Sequence, residues 1–437
     1  MSADAGADAT EPTPPPPPNA TWRAVATVLL PFGAGYYLSY LYRQINAIIA
    51  DDLQADMALG AAELGLLTSL YFASFAAFQL PLGLLLDRYG PRRVNGTLLL
   101  IAAAGAALFA VGEGVIELAL GRTLIGLGVA GGLMGTFKAV TLWFPPRRWP
   151  VINGVALAIG GLGAISATQP VEAALQIMHW RGVFAGLALT TVAVALVILA
   201  VAPEPPRRGD PPTVRHQLRE FAAVFRDPFF WRLAPVAVAC MASGMAILGL
   251  WAAPWLRDVA GFPREAIATT LLATACTMTL GMLVFGALAD ALERRGIRLT
   301  QTLGTGVLVF VAAFGVIASG LAATHIWPWL LFALASNVTA LGYALLSRHF
   351  PLHLAGRANA ALNLLVFVAA FATQYLIGGL IALGPTTAAG GHAAGAYHAT
   401  FALLVGVCLA TWFWFVIRAH RAPFGRPARY DASATDQ

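Results

Sequence analysis

Charge is scarce in this chain of 437 residues: 11% are Asp, Glu, Lys or Arg, against about a quarter in soluble domains. That shortage, with the chain's apolar content, rules out an ordinary soluble domain. Lysine occurs once, at Lys138, and cysteine three times. Cys240, Cys276 and Cys408 lie in apolar stretches with no paired spacing, which excludes a disulfide framework. Positive charge is missing from the first residues, where Asp4, Asp8 and Glu11 precede the prolines 14–18. A signal peptide is therefore not expected, and the start reads as a disordered tail. Also missing are a Walker-type loop and any His-Glu-x-x-His or Ser/His/Asp pattern on a helix. These absences argue against ATP-driven pumping, against an enzyme and against a bound cofactor.

What the chain has in abundance is apolar length, with 58% hydrophobic residues and a mean hydropathy of +0.72. Stretches of about 20 apolar residues separated by Gly, Pro or charge predict membrane spans. Twelve are expected, near 24–49, 63–86, 94–113, 118–143, 150–175, 181–202, 232–256, 265–290, 298–320, 326–347, 357–383 and 397–418. No ten-residue alternation of a barrel strand is present, so the fold class is all-α, polytopic and membrane-bound. The net charge of +6 does not call for a nucleic-acid partner, because the basic residues cluster by loop. Of 27, 21 fall in the tails and every second loop, while the others hold Asp51, Asp52, Asp56, Glu63, Glu113 and Glu117 with only Arg181, Arg257 and Arg264 as basic exceptions. By the positive-inside rule both termini are cytoplasmic, in a multi-pass protein of the plasma membrane.

The long connection 203–231 divides the chain into two halves that echo each other. The expected organisation is a tail 1–23, a six-helix bundle 24–202, a cytoplasmic loop 203–231, a second bundle 232–418 and a tail 419–437. Gly83-x-x-x-Asp87 with Arg88, Gly90, Arg92 and Arg93 returns 203 residues later as Gly286-x-x-x-Asp290 with Arg294 and Arg295. Ala167-Thr168-Gln169 returns 205 residues later as Ala372-Thr373-Gln374. Two echoes at nearly one offset indicate a duplicated bundle.

These residues resemble the major facilitator superfamily over about 24–420. The run Gly83 to Arg93 looks like that family's signature loop, with Pro91 where a basic or polar residue is often found. Arg122-x-x-x-Gly126-x-Gly128 looks like its helix-four motif, and Trp180-Arg181-x-x-Phe184 is common at its sixth helix. The resemblance implies two pseudosymmetric six-helix bundles around a central cavity, with no subfamily assigned. It is thinner toward the nitrate/nitrite branch. Lys138 and Trp143-Phe144-Pro145-Pro146-Arg147-Arg148 have that flavour, but spans two and eight lack the interior arginines the branch is expected to use. Nitrate is disfavoured. The charges at Asp87 and Arg88, Arg92 and Arg93, and their second-half copies, read as a latch that holds one conformation.

Ionisable groups inside a span cost roughly 2.5–3.5 kcal/mol each, so they tend to face a cavity or a partner. Tyr36, Tyr40 and Arg43 share a helical face in the first span, and Gln169 and Glu172 share one in the fifth. Lys138 offers an amine in the fourth span, and Asn363 and Gln374 offer amides in the eleventh. Tyr36, Tyr40, Arg43, Lys138, Gln169, Asn363 and Gln374 are thus expected to bind substrate. Glu172, paired with Arg43 at similar depth, is expected to couple protons, with Arg122 assisting. Met241, Met245, Met278 and Met282 form two i, i+4 pairs that can pass Cu(I), a rival chemistry; methionine filler is the commoner case.

The expected function is secondary transport of a small organic anion by alternating access, coupled to protons, by a chain working as a monomer. The alternatives are a Cu(I) transporter and a transporter-like receptor or assembly factor.

Overall fold

The computed structural model describes residues 22–203, 214–387 and 391–418. The tails and the middle of the long connection lie outside the described residues. Among the described residues twelve helices are long and apolar enough to cross a membrane. We label them α1 (Trp22–Gln44), α2 (Ala61–Gln79), α3 (Pro81–Val111), α4 (Val115–Trp143), α5 (Val151–Leu175) and α6 (Trp180–Val201) in the first half. The second half holds α7 (Pro228–Asp258), α8 (Arg264–Met282), α9 (Leu299–Ser319), α10 (Trp327–His349), α11 (Leu354–Ala382) and α12 (Ala394–Ile417). All twelve expected spans are present.

Local chemistry sets many of the boundaries. Glu63 Oε2 accepts from the Gly60 N–H and Glu117 Oε2 from the Gly114 N–H, both at 2.6 Å, so α2 and α4 start with a carboxylate closing the first turn. Helix runs on from Ala61 to Val111 through the signature loop and breaks at Gly90, whose φ of 78° disfavours a side chain. Two departures from the expected spans matter for function. Beyond α1 the chain continues as helix Asn46–Met57, ended by Ala58 at φ 52°, so Asp51 and Asp52 ride on a helix rather than a loop. In α5 the helix stops at Ser166 and restarts at Gln169, with Thr168 at φ −105° and ψ −116°.

Helices within the first half approach closely where glycine permits. A Cβ on Gly126 would lie 2.2 Å from the Tyr71 carbonyl oxygen, and one on Gly128 2.3 Å from the Ala102 nitrogen. The helix-four motif therefore seats α4 against α2 on one side and α3 on the other, a small-residue contact typical of membrane bundles. The halves meet along α2 and α11, where Gly65 lies against the Gln374 carbonyl oxygen and Gly378. In the connection, helix Val214–Arg226 is held to α11 by Arg357 and Glu220 at 2.9 Å.

Candidate functional site

The polar stripe of α1 leads to the centre of the molecule. Tyr36 and Tyr40 pack edge to face with centroids 5.1 Å apart. One turn on, the Arg43 guanidinium carbon lies 4.7 Å from the Tyr40 ring centroid, 5.7 Å from Phe75 and 5.2 Å from Phe367. Phe75 belongs to α2 and Phe367 to α11, and their rings stack at 4.0 Å, so both halves close on this arginine. Tyr343 of α10 donates to Asn363 Oδ1 at 3.1 Å and lies within electrostatic reach of Tyr40 and Arg43.

Arg43 is 8% exposed and its Nε has no hydrogen-bond partner. The ionisable groups beside it are the phenols of Tyr71, Tyr40 and Tyr36. Among the described residues no carboxylate pairs with it. Cation–π contacts return up to about 2 kcal/mol to a desolvated guanidinium. An arginine in such surroundings is better satisfied when an anion joins it.

Other expected contacts lie elsewhere. Glu172 does not meet Arg43: its Oε1 accepts from Arg264 Nε at 2.7 Å. The expectation of equal depth fails because the α1 helix continues past the apolar segment. Arg43 precedes Asp52 by nine residues, which is about 13 Å along a helix. Lys138 does not line the central site either, since its Nζ is 2.8 Å from Asp87 Oδ1. The repeated amides also part company. Gln169 is exposed and donates to Thr269 Oγ1 at 3.1 Å. Gln374 is fully buried, oriented to donate to the Ala246 carbonyl at 3.1 Å and to accept from the Trp251 indole at 3.2 Å. The break in α5 at Thr168 has no counterpart in α11, which is helical from Leu352 to Ala382, so equal tripeptides face different surroundings.

Arg122 is sealed inside the first half at 1% exposure. It donates to the Tyr42 carbonyl at 3.1 Å, lies over Phe109 and Phe184 at 4.7 and 5.2 Å, and leaves Nε and one terminal nitrogen without partners. It makes no contact with Glu172. Met241, Met245 and Met278 pack partly buried against the core, and Met282 is partly buried. Met278 lines a small, mostly apolar cleft with Gln44, Thr168 and Thr274.

Sequence reasoning passed over the cluster that closes the acidic end. Arg264 donates to both oxygens of Asp52 at 2.8 and 3.0 Å as well as to Glu172. Arg257 donates to Asp51 and, at 2.7 Å, to Asp258 Oδ1. Both arginines come from the second half, and Asp51, Asp52 and Glu172 from the first. Burial pushes the Asp51 carboxyl up, outweighing the pull of Arg257 and Arg264. The available signal was Arg257 and Arg264, which with Arg181 are the basic exceptions in an otherwise acidic loop set.

At the basic end the two copies of the signature loop differ. Asp87 holds Lys138 of its own half, Arg92 Nε donates to the Leu199 carbonyl at 2.8 Å, and Arg88 lies 5.4 Å from the Tyr89 ring centroid. In the second copy Asp290, Arg294 and Arg295 are exposed, and Arg348 pairs with Glu293 at 2.6 Å. A Cβ would meet nothing within 4 Å at Gly83 or Gly286, so neither glycine is required by close packing here.

Comparisons with known proteins agree with this architecture. The probable sulfoacetate transporter SauU of Cupriavidus necator is 23% identical over 295 residues, covering 64% of this chain and 68% of that protein. The nitrate/nitrite transporter NrtP of a Picosynechococcus species is 31% identical over 150 residues, 34% of this chain and 28% of that one. Among solved structures, a bacterial homologue of the human lysosomal transporter Spinster, inward-facing and unoccupied, superposes with a TM-score of 0.67 at 19% identity, covering 93% of this chain and 96% of that one. The nucleoside transporter NupG superposes with a TM-score of 0.72 at 12% identity, covering 89% and 99%. The family model described as Major Facilitator Superfamily matches residues 32–374. Twelve spanning helices in two halves, a repeated signature loop and that match together place the chain in the major facilitator superfamily, to which it belongs.

Proposed function

We propose that this transporter carries a small organic anion by alternating access, with the anion's charge held by Arg43 between the two halves. The observation that carries the reading is the buried guanidinium ringed by Tyr40, Phe75 and Phe367 with no acidic partner among the described residues. An anion there supplies the missing counter-charge, and the Tyr343–Asn363 pair offers polar groups to the rest of a small solute. Relatives named as sulfoacetate and tartrate transporters support a carboxylate or sulfonate. One central cation rather than two favours a compact solute, because Lys138 is engaged by Asp87.

Proton coupling belongs to the same reading. Opening the acidic end separates Glu172 from Arg264, which makes this carboxylate the group that changes partner as the halves move. Both termini lie on the cytoplasmic side in this scheme, since the basic residues gather at that end. Uptake of labelled sulfoacetate and tartrate into proteoliposomes tests it. Arg43→Gln should lose at least about tenfold in affinity, as expected for one charge-assisted contact. Glu172→Gln should keep counterflow and lose pH-driven accumulation. Unchanged affinity in Arg43→Gln would remove the arginine from the site.

A further inference from the structure

When the halves part at the acidic end, the two clamp arginines fare differently. Arg257 keeps its counter-charge: Asp258 is its neighbour in α7, bonded at 2.7 Å. Asp258 is itself fixed by the Tyr397 hydroxyl at 2.7 Å and the His392 N–H at 3.1 Å, both in the same half. Among the described residues no carboxylate of its own half is bonded to Arg264. Asp52 and Glu172, its two ion-pair partners, both belong to the first half, so any motion that opens this end strips both from it. Its side chain is 42% exposed even while clamped. Asp52, which it holds, lies nine residues beyond Arg43 on the helix Asn46–Met57, about 13 Å by helical rise.

We infer that Arg264 is a second anion-binding site, filled by Asp52 and Glu172 when the acidic end is closed and by a carboxylate or sulfonate of the incoming solute when it is open. This rests on the organic-anion reading above and adds a site that reading does not contain. The guanidinium fork already shows the chemistry it accepts, with both oxygens of Asp52 on its terminal nitrogens and one of Glu172 on Nε. A solute acid presents the same planar or tripodal oxygens. Closure then replaces the solute's oxygens with the protein's own and releases the solute toward Arg43. No state leaves Arg264 bare, and a half-exposed pair exchanges readily because water screens it.

The test uses labelled sulfoacetate as the probe and full-length protein in nanodiscs, all in an Arg43→Gln background so that the central site is silent. Freeing Arg264 with Asp52→Asn and Glu172→Gln should tighten sulfoacetate binding about tenfold, the usual scale of a charge-assisted contact. Adding Arg264→Gln should abolish that gain, Arg264→Lys should keep part of it, and Arg257→Gln should leave it intact. A residue that only clamps predicts the same result whether Arg264 is freed or removed, so equal binding in those two variants would overturn the site. No gain on freeing Arg264, in protein that elutes as a single species, would overturn it too. Uptake by wild-type and Arg43→Gln proteoliposomes judges the central-site reading separately.

Discussion

Arg43 and Arg122 show how one residue type serves two ends in this membrane protein. Each is buried over aromatic rings, yet Arg43 lies where rings of both halves converge and Arg122 is enclosed by its own half. The same residue scale explains the helix-four motif through Gly126 and Gly128, whose missing side chains admit backbone atoms of α2 and α3. Gly126→Ala places a methyl group on the Tyr71 carbonyl, which cannot swing aside as a side chain can. Overpacking of this kind costs about 1–3 kcal/mol. The thermal midpoint of the purified protein should fall accordingly, whereas Gly154→Ala, with open space around it, should leave it unchanged. Equal midpoints would show that the helices shift to make room.

At the scale of elements, the start of α7 carries a pH-sensitive cap. Asp227 Oδ1 accepts from the Phe229 and Phe230 N–H groups at 2.8 and 3.0 Å, and His349 lies 3.3 Å from the carboxylate. Burial pushes this carboxyl up, but the His349 contact and the two backbone donors together pull it further down, below the ordinary carboxylate value. A depressed carboxyl contributes stability that is present above its unfolded value, about 3.9, and lost as pH falls through the folded one. The wild-type midpoint should therefore fall as pH drops below about 4, and Asp227→Asn should flatten that decline while keeping an acceptor for the cap. Parallel curves would place the acid sensitivity elsewhere. Removing the cap with Asp227→Ala should cost about 1–2 kcal/mol at neutral pH.

For the whole molecule, the decisive feature is which half supplies each charge. At the acidic end arginines of the second half hold carboxylates of the first, and the Asp87–Lys138 pair lies within one half. Arg264→Ala should shift the protein toward opening at the acidic end. A cysteine at Ala167, fully buried beside the α5 break, should then label several-fold faster with a water-soluble thiol reagent than in the unmodified background. Equal rates would show that α2 and α11, meeting at Gly65 and Gly378, hold that end without the clamp. Orientation is tested by a reporter active only outside the cell, fused after Arg208 in the connection, which should be silent.

The twelve spans, the duplicated halves and the signature loop were legible in the sequence because they rest on local quantities: apolar length, loop charge and an offset repeated near 203 residues. Arg43, Tyr40 and Asn363 stand out as candidates for the same reason, since an ionisable or amide group is conspicuous in an apolar helix. Their surroundings were not legible. Phe75 and Phe367 look like lipid-facing filler until α2 is laid against α11, and Arg264 looks like a stray loop charge until α8 is laid beside α5 and the Asn46–Met57 helix. Pairing Glu172 with Arg43 failed because span length fixes depth only while a helix ends where its apolar run ends. Helix continuation beyond Gln44 and the break at Thr168 are settled by backbone hydrogen bonding and packing across the halves. Which groups the membrane forces inward follows from the chain alone; which partner each one meets follows from packing, because contacts such as Glu172–Arg264 and Asp52–Arg264 join residues 92 and 212 positions apart.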